Sequence, residues 1–290
     1  MPNCFFVSDL HGSVHRYRCF WDHILSEKPA AVFLGGDLLP HPMNFAWREN
    51  RDQTDFILDF IMPGFSALKS KLGIQYPKVF LILGNDDPRA NEPALMEGQE
   101  QGLWEYMHGR KTTWEGFTIF GYSCIPPSPF MLKDWERYDV SMFVDPGCVS
   151  PEEGGRTAGP AGREIRFTTI AQELEELAGQ EKDYSNTILL SHCPPHKCNL
   201  DRAALDGKMV DYVPLDVHIG SIAIQRFIQD KQPLLTLHGH VHESRTLTGS
   251  WMQKFDSTTS YNAANESPAL ALIRFDPHQP SQATLELIDP

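Results

Sequence analysis

Leu83–Asp87 reads LGNDD, and it ends the apolar run Lys78–Leu83 in an abrupt cluster of one amide and two carboxylates. Four other apolar runs end in the same way. Asn3–Ser8 runs into SDLHG (Ser8–Gly12), Ala31–Leu34 into GGD (Gly35–Asp37), Asn186–Leu190 into SHCPP (Ser191–Pro195) and Leu234–Leu237 into HGHVH (His238–His242). Short apolar runs bounded by turn residues read as buried strands. Ligands of open α/β sheets sit beyond the carboxyl ends of the strands. Five clusters in one relation to five strands therefore predict a single edge on which all five converge.

Helical patterns fall between these runs. Val14–Ser26 carries Tyr17, Phe20, Trp21, Ile24 and Leu25 at helical spacing, and Asp55–Leu72 reads as a helix with a break at Met62-Pro63-Gly64. Thr169–Ala178 opens on a capping box of Thr169 and Gln172, and Ser221 caps a helix over Ser221–Gln229. A hairpin is expected over Thr113–Tyr122 around Glu115-Gly116, with strands at Ala269–Phe275 and Ala283–Ile288. The chain reads as one domain, 1–290, with a lid or specificity insertion around 123–166. That insertion holds the aromatic, Pro-rich IPPSPFMLKDWERYD (Ile125–Asp139) and EEGGRTAGPAG (152–162), expected as a flexible loop. Phe130, Trp135 and Tyr138 are candidates either for stacking on a base or for the insertion's own small core.

Composition narrows the class. Of the 290 residues, 41% are hydrophobic and 22% charged, as in ordinary globular domains. No stretch approaches the roughly 18–20 apolar residues needed to cross a bilayer, and MPNCFFVSDLHG has neither the basic start nor the long apolar core of a signal peptide. Cys4, Cys19, Cys124, Cys148, Cys193 and Cys198 show no CxxC pairing, so reduced thiols and a cytoplasmic location are expected. The net charge of −13 argues against duplex nucleic acid as a partner. A small phosphorylated substrate stays compatible with it, because bound metal ions reverse the local field.

The clusters supply Asp9, His11, Asp37, Asn85, His192, His240 and His242. This is an N/O donor set without thiolate, suited to Mn, Fe, Zn, Co or Ni. Asp9-x-His11 and His240-x-His242 have the i, i+2 spacing that puts both side chains on one face of a strand, and a carboxylate such as Asp37 could bridge two ions. Two ions about 3.5–4 Å apart would clamp a phosphoryl group and acidify a water between them.

The ordered series D-x-H, G-D, G-N-x-D, H, G-H-x-H, from Asp9 to His242, resembles the calcineurin-like metallophosphoesterases, in a prokaryotic-type variant. The resemblance implies an α/β fold: a four-layer α-β-β-α sandwich of two mixed β-sheets flanked by helices. It implies one metal held by Asp9, His11, Asp37 and His242, and a second held by Asp37, Asn85, His192 and His240. Asn85 would also touch substrate. The family's third motif usually reads GNHD or GNHE, and its His orients the phosphate and helps protonate the leaving group. Here that position is Asp86, expected to be ionised beside two cations and so a poor acid. Family members lacking that His occur among small phosphodiesterases.

The remaining candidates are Arg89, for substrate phosphate or a surface salt bridge, and His196, as a stand-in proton donor. His218 stands at the start of a helix whose N-terminus could face an anion. Asp87 reads either as a support for the metal loop or as a turn residue before Pro88. The expected function is hydrolysis of phosphate esters, biased toward nucleotide-type or cyclic diesters. The alternatives are a phosphomonoesterase of small molecules or proteins, or a non-catalytic scaffold that keeps the fold.

Overall fold

Phe5 and Val7 face one way along the first strand and Cys4 and Phe6 the other, and this alternation builds the layers. The computed structural model describes residues 3–41, 48, 53–159 and 165–289. In chain order the first half holds β1 (Cys4–Val7), α1 (Val14–Glu27), β2 (Ala31–Gly35), α2 (Met62–Leu72), β3 (Lys78–Ile82), α3 (Glu92–Glu100) and β4 (Glu105–Tyr106). There follow β5 (Arg110–Trp114), β6 (Phe117–Tyr122), α4 (Ile170–Ala178), β7 (Thr187–Ser191), β8 (Met209–Val210), β9 (Val213–Pro214) and α5 (Ile222–Lys231). The last part holds β10 (Leu235–His238), α6 (Ser244–Thr248), β11 (Met252–Phe255), β12 (Thr258–Asn262), β13 (Leu270–Phe275) and β14 (Thr284–Ile288).

One six-stranded sheet has the order β14-β13-β1-β2-β3-β4, and the other β11-β12-β10-β7-β6-β5. Both are mixed: β1, β2, β3 and β4 run parallel, as do β6, β7, β10 and β12, while β13, β14, β11 and β5 pair antiparallel with their neighbours. Phe6, Phe33, Phe80 and Ile82 meet Ile119, Ile188, Leu190 and Leu237 between the sheets. On the outer faces, Phe5, Val32 and Leu81 share a core with Tyr17, Phe20 and Phe65, and Phe120 and Leu189 with Leu174 and Phe227. The result is the α-β-β-α sandwich that the resemblance implied.

One local feature departs from the expectations. The helix ending at Leu72 is not broken at Met62-Pro63-Gly64. A π-turn, Ile57–Ile61, runs directly into α2, and the Met62 N–H reaches Ile57 O, five residues back. The wider turn moves the preceding carbonyl out of the way of the Pro63 ring, which has no N–H to lose. The Trp21 ring packs against Gly64 so closely that a Cβ there would lie 2.1 Å from it. The 123–166 insertion is buried at its centre: Lys133, Asp134, Trp135, Glu136 and Arg137 are all at most 4% exposed. Residues 160–162 of the expected flexible loop lie outside the described residues. Elsewhere the capping box of Thr169 and Gln172 is formed, and all six cysteines are free thiols. Among the described residues no helix is long and apolar enough to cross a membrane.

Candidate metal centre

The loops after β1 and β2 are bonded together, Asp9 N to Gly36 O at 2.9 Å and His11 N to Asp37 O at 2.8 Å. In the second sheet the ends of β7 and β10 are joined in the same way, Gly239 N donating to His192 O at 2.9 Å. To turn each side chain into the space between these loops, Asp9, His11, Asp37 and His240 adopt left-handed backbone, with φ of 57°, 45°, 51° and 71°. Outside glycine this region is sparsely populated, costs about 1 kcal/mol or more per residue, and gathers at functional sites. Two glycines clear the space. A Cβ on Gly84 would lie 2.2 Å from Asp37 Oδ1, and one on Gly239 would lie 2.2 Å from Asp9 Oδ2.

Asp9, His11, Asp37 and His242 each offer a donor atom within 4.8 Å of the others. His242 Nε2 lies 3.0 Å from Asp9 Oδ1, and His11 Nε2 lies 3.2 Å from His242 Nε2. Beside them, Asn85 Oδ1 and His192 Nε2 are 3.0 Å apart, and His192 Nε2 is 3.4 Å from Asp37 Oδ2. The His192 Nδ1–H donates to Gly35 O, which aims Nε2 inward, and the His240 ring stands 5.2 Å from that of His192. Asp37 thus takes part in both groupings.

Electrostatics support a cation here. Burial alone would raise the Asp9 and Asp37 carboxyls, but the imidazoles beside them hold both below the usual range. Burial disfavours charge on His192, yet the Asp37 carboxylate carries it up to about 10. Asp9 likewise carries His242 up to about 9 against its own desolvation. His240, buried beside charged His192, is pushed down to about 3. Protons on His192 and His242 therefore balance the two carboxylates in the protein alone, a balance that divalent ions supply when they displace them.

Asp87 and Arg16 hold this arrangement from outside. The fully buried Asp87 carboxylate accepts from Leu38 N (3.0 Å), Leu39 N (2.8 Å) and Gly84 N (2.9 Å), tying the loop of Asp37 to that of Asn85. Arg16 Nη1 donates to the Asp9 carbonyl at 2.8 Å, and its Nε and Nη2 hold Pro268 O and Ser267 O. Nothing in the local sequence singles out Arg16 from Arg18, the other arginine on α1.

The other candidates are placed less simply. Asp86 lies at the rim, its side chain about half-exposed. Its expected ionisation rested on two cations; in the protein alone, burial and Asp37 push its pKa up. Arg89 packs its guanidinium 4.7 Å from the Trp135 ring, and its Nε donates to Glu92. Trp135 is itself buried, its Nε1 donating to Asp87 O at 2.7 Å, so it is not available for stacking on a base. His196 and His218 gather around buried Asp201, with His218 Nδ1 2.7 Å from Asp201 Oδ1 and His196 Nδ1 3.8 Å from Asp201 Oδ2. Among the described residues neither is hydrogen-bonded or ion-paired to any of the seven ligand-type residues. The anion site expected at the N-terminus of α5 is already filled. Asp139 accepts from Ser221 Oγ, Ile222 N and Ala223 N, satisfying the free donors of the first turn. His238 faces away, bonded to Thr236 Oγ1 and Ser191 O.

The family model for calcineurin-like phosphoesterases matches residues 3–244, which holds every one of the seven ligand-type residues. The chain belongs to the calcineurin-like phosphoesterase family. Two solved structures share this phosphoesterase's fold over nearly their whole lengths. One is 17% identical, with a TM-score of 0.60 over 99% of this chain and 100% of its own. The other, TT1561 of Thermus thermophilus, is 13% identical, with a TM-score of 0.55 over 99% and 98%. Among curated proteins none matches the sequence.

Proposed function

We propose that this calcineurin-like phosphoesterase is a dinuclear metal-dependent hydrolase of phosphate esters, biased toward phosphodiesters of the nucleotide or cyclic type. The observation that carries the reading is the position of Asp37. It groups with Asp9, His11 and His242 on one side, and its Oδ2 faces His192, itself against Asn85, on the other. A carboxylate shared between two donor groups is the arrangement that holds a metal pair. Such a pair supplies Lewis acidity at the phosphoryl oxygens and lowers the pKa of a bound water. Asp9, His11, Asp37, Asn85, His192, His240 and His242 would hold the ions, with Asp86 at the rim.

Asp86 supports the diester bias. A rim carboxylate repels a dianionic monoester more than a monoanionic diester, because the Coulomb term scales with the ligand's charge. It is also a poorer proton source than an imidazolium, which favours leaving groups that need little protonation.

The test is hydrolysis of bis-p-nitrophenyl and p-nitrophenyl phosphate by protein stripped of metal and reloaded with Mn2+. Two bound ions with higher kcat/KM for the diester, lost in Asp37→Asn, is the expected result. Faster monoester turnover would overturn the diester bias, and two bound ions without any hydrolysis would leave a non-catalytic scaffold.

A further inference from the structure

Asp86 makes three contacts that have nothing to do with a proton donor's task. Its backbone N–H donates to Asp37 Oδ1 at 2.8 Å. Its Oδ1 accepts from Asn85 Nδ2 at 2.8 Å. Its Oδ2 lies 3.8 Å from His11 Nδ1. These three partners are the shared carboxylate and one ligand-type residue from each side of it.

The chemistry of each contact is directional. An amide beside a carboxylate must present its NH2, so Asp86 decides which way Asn85 is turned and sends Asn85 Oδ1 toward His192 Nε2, 3.0 Å away. His11 has its Nε2 toward His242 and Asp9, so its Nδ1 is the nitrogen left to face Asp86. A ligating imidazole whose outer N–H meets a carboxylate is fixed in tautomer and orientation and made a stronger donor. A histidine at position 86 carries no negative charge to offer the Nδ1–H of His11.

We infer that Asp86 is a positioning residue for both metal ions, turning the Asn85 amide oxygen inward and orienting His11. The inference rests on the dinuclear reading above and changes what the departure from GNHD means. Position 86 acts on the ligands and leaves the leaving group to other proton sources.

The experiment is a Mn2+ titration of the full-length, metal-stripped chain, by calorimetry and by electron paramagnetic resonance, for wild type, Asp86→Ala, Asp86→Asn and Asp86→His. Wild type should take up two ions. Asp86→Ala should weaken both steps by about 10–100-fold, the usual cost of losing an outer partner of a ligand. Asp86→Asn keeps an acceptor for Asn85 but loses the charge facing His11, so it should restore one step and leave the other weak. Thermal unfolding of the metal-free variants checks that the half-exposed substitution leaves the fold intact; should Asp86→Ala not fold, Asp86→Ser takes its place.

Mn2+ affinities within about 2-fold of wild type in Asp86→Ala would overturn the inference. So would an Asp86→His chain that binds Mn2+ as wild type does and gains monoester turnover. That result would make position 86 a substrate-facing acid site. A wild type that binds no Mn2+ also overturns it. A wild type that binds two ions without hydrolysing either ester refutes the functional reading alone, and the Asp86 titrations still decide this one.

Discussion

Gly239→Ala puts a methyl group where two loops of the metal centre nearly touch. The new Cβ would lie 2.0 Å from Ser8 Oγ and 2.2 Å from Asp9 Oδ2, whereas ordinary contact begins at 3.4 Å. Gly239 is not among the described glycines with positive φ, so its backbone accepts alanine and the clash acts alone. Asp9 Oδ2 must withdraw by about 1.2 Å, against a tolerance of about 0.2 Å in metal–ligand distances. Overpacking of this kind costs about 1–3 kcal/mol. At about 2–4 °C of Tm per kcal/mol in chains of this size, a fall of about 2–12 °C is expected. The affinity of the ion held by Asp9 should drop about 100-fold or more. The double variant Ser8→Ala/Gly239→Ala removes the hydroxyl clash and leaves the carboxylate clash. It should recover part of the Tm and none of the Mn2+ affinity. Differential scanning calorimetry and Mn2+ calorimetry read the two effects separately. Wild-type affinity in Gly239→Ala, or recovery of affinity with Ser8→Ala, would refute the reasoning.

Metal-stripped protein should be most stable near neutral pH and lose stability as pH rises from about 6.5 toward about 10. His192 and His242 are raised in the fold to about 10 and about 9, so their contribution is complete below the unfolded value and disappears above the folded ones. The loss, on the order of a few kcal/mol, should shrink on loading with Mn2+, as thermal unfolding between pH 6 and 10 with and without chelator would show. Lys133→Met strands Glu136, both side chains being fully buried, and should cost about 3–5 kcal/mol. Burial already lifts Glu136 to about 7, so the cost should grow above that pH in urea titrations; a cost independent of pH would show that the pair is not the cause.

The strand ends were readable because apolar runs stop at polar clusters wherever a buried backbone emerges into a site. Asp9, His11, Asp37, Asn85, His192, His240 and His242 all stood in those clusters, and the resemblance ordered them. What was not readable depends on contacts distant in sequence. Pro63 looked like a break because a π-turn leaves no local signature. β11 and β12 were not expected, since KFDSTTSYN lacks a clean alternation although Thr258–Asn262 is buried throughout. Arg16 holds Asp9 from α1, and Asp139 closes the N-terminus of α5 from 83 residues away. The burial of the charged run Lys133–Arg137 is intelligible only once Ser128, Glu173 and Asp87 are seen around it.

That run also limits how a phosphoesterase of this kind can diversify. Trp135 donates to the carbonyl of Asp87, the residue whose carboxylate ties the Asp37 and Asn85 loops, and Arg137 reaches Glu173 on α4. The stretch between β6 and α4 is therefore not an exchangeable module. A graft from a relative would carry a foreign partner for Asp87 into the scaffold and disturb the loops of Asp37 and Asn85. Exposed positions such as Phe130 and Met131 can vary without unfastening those loops.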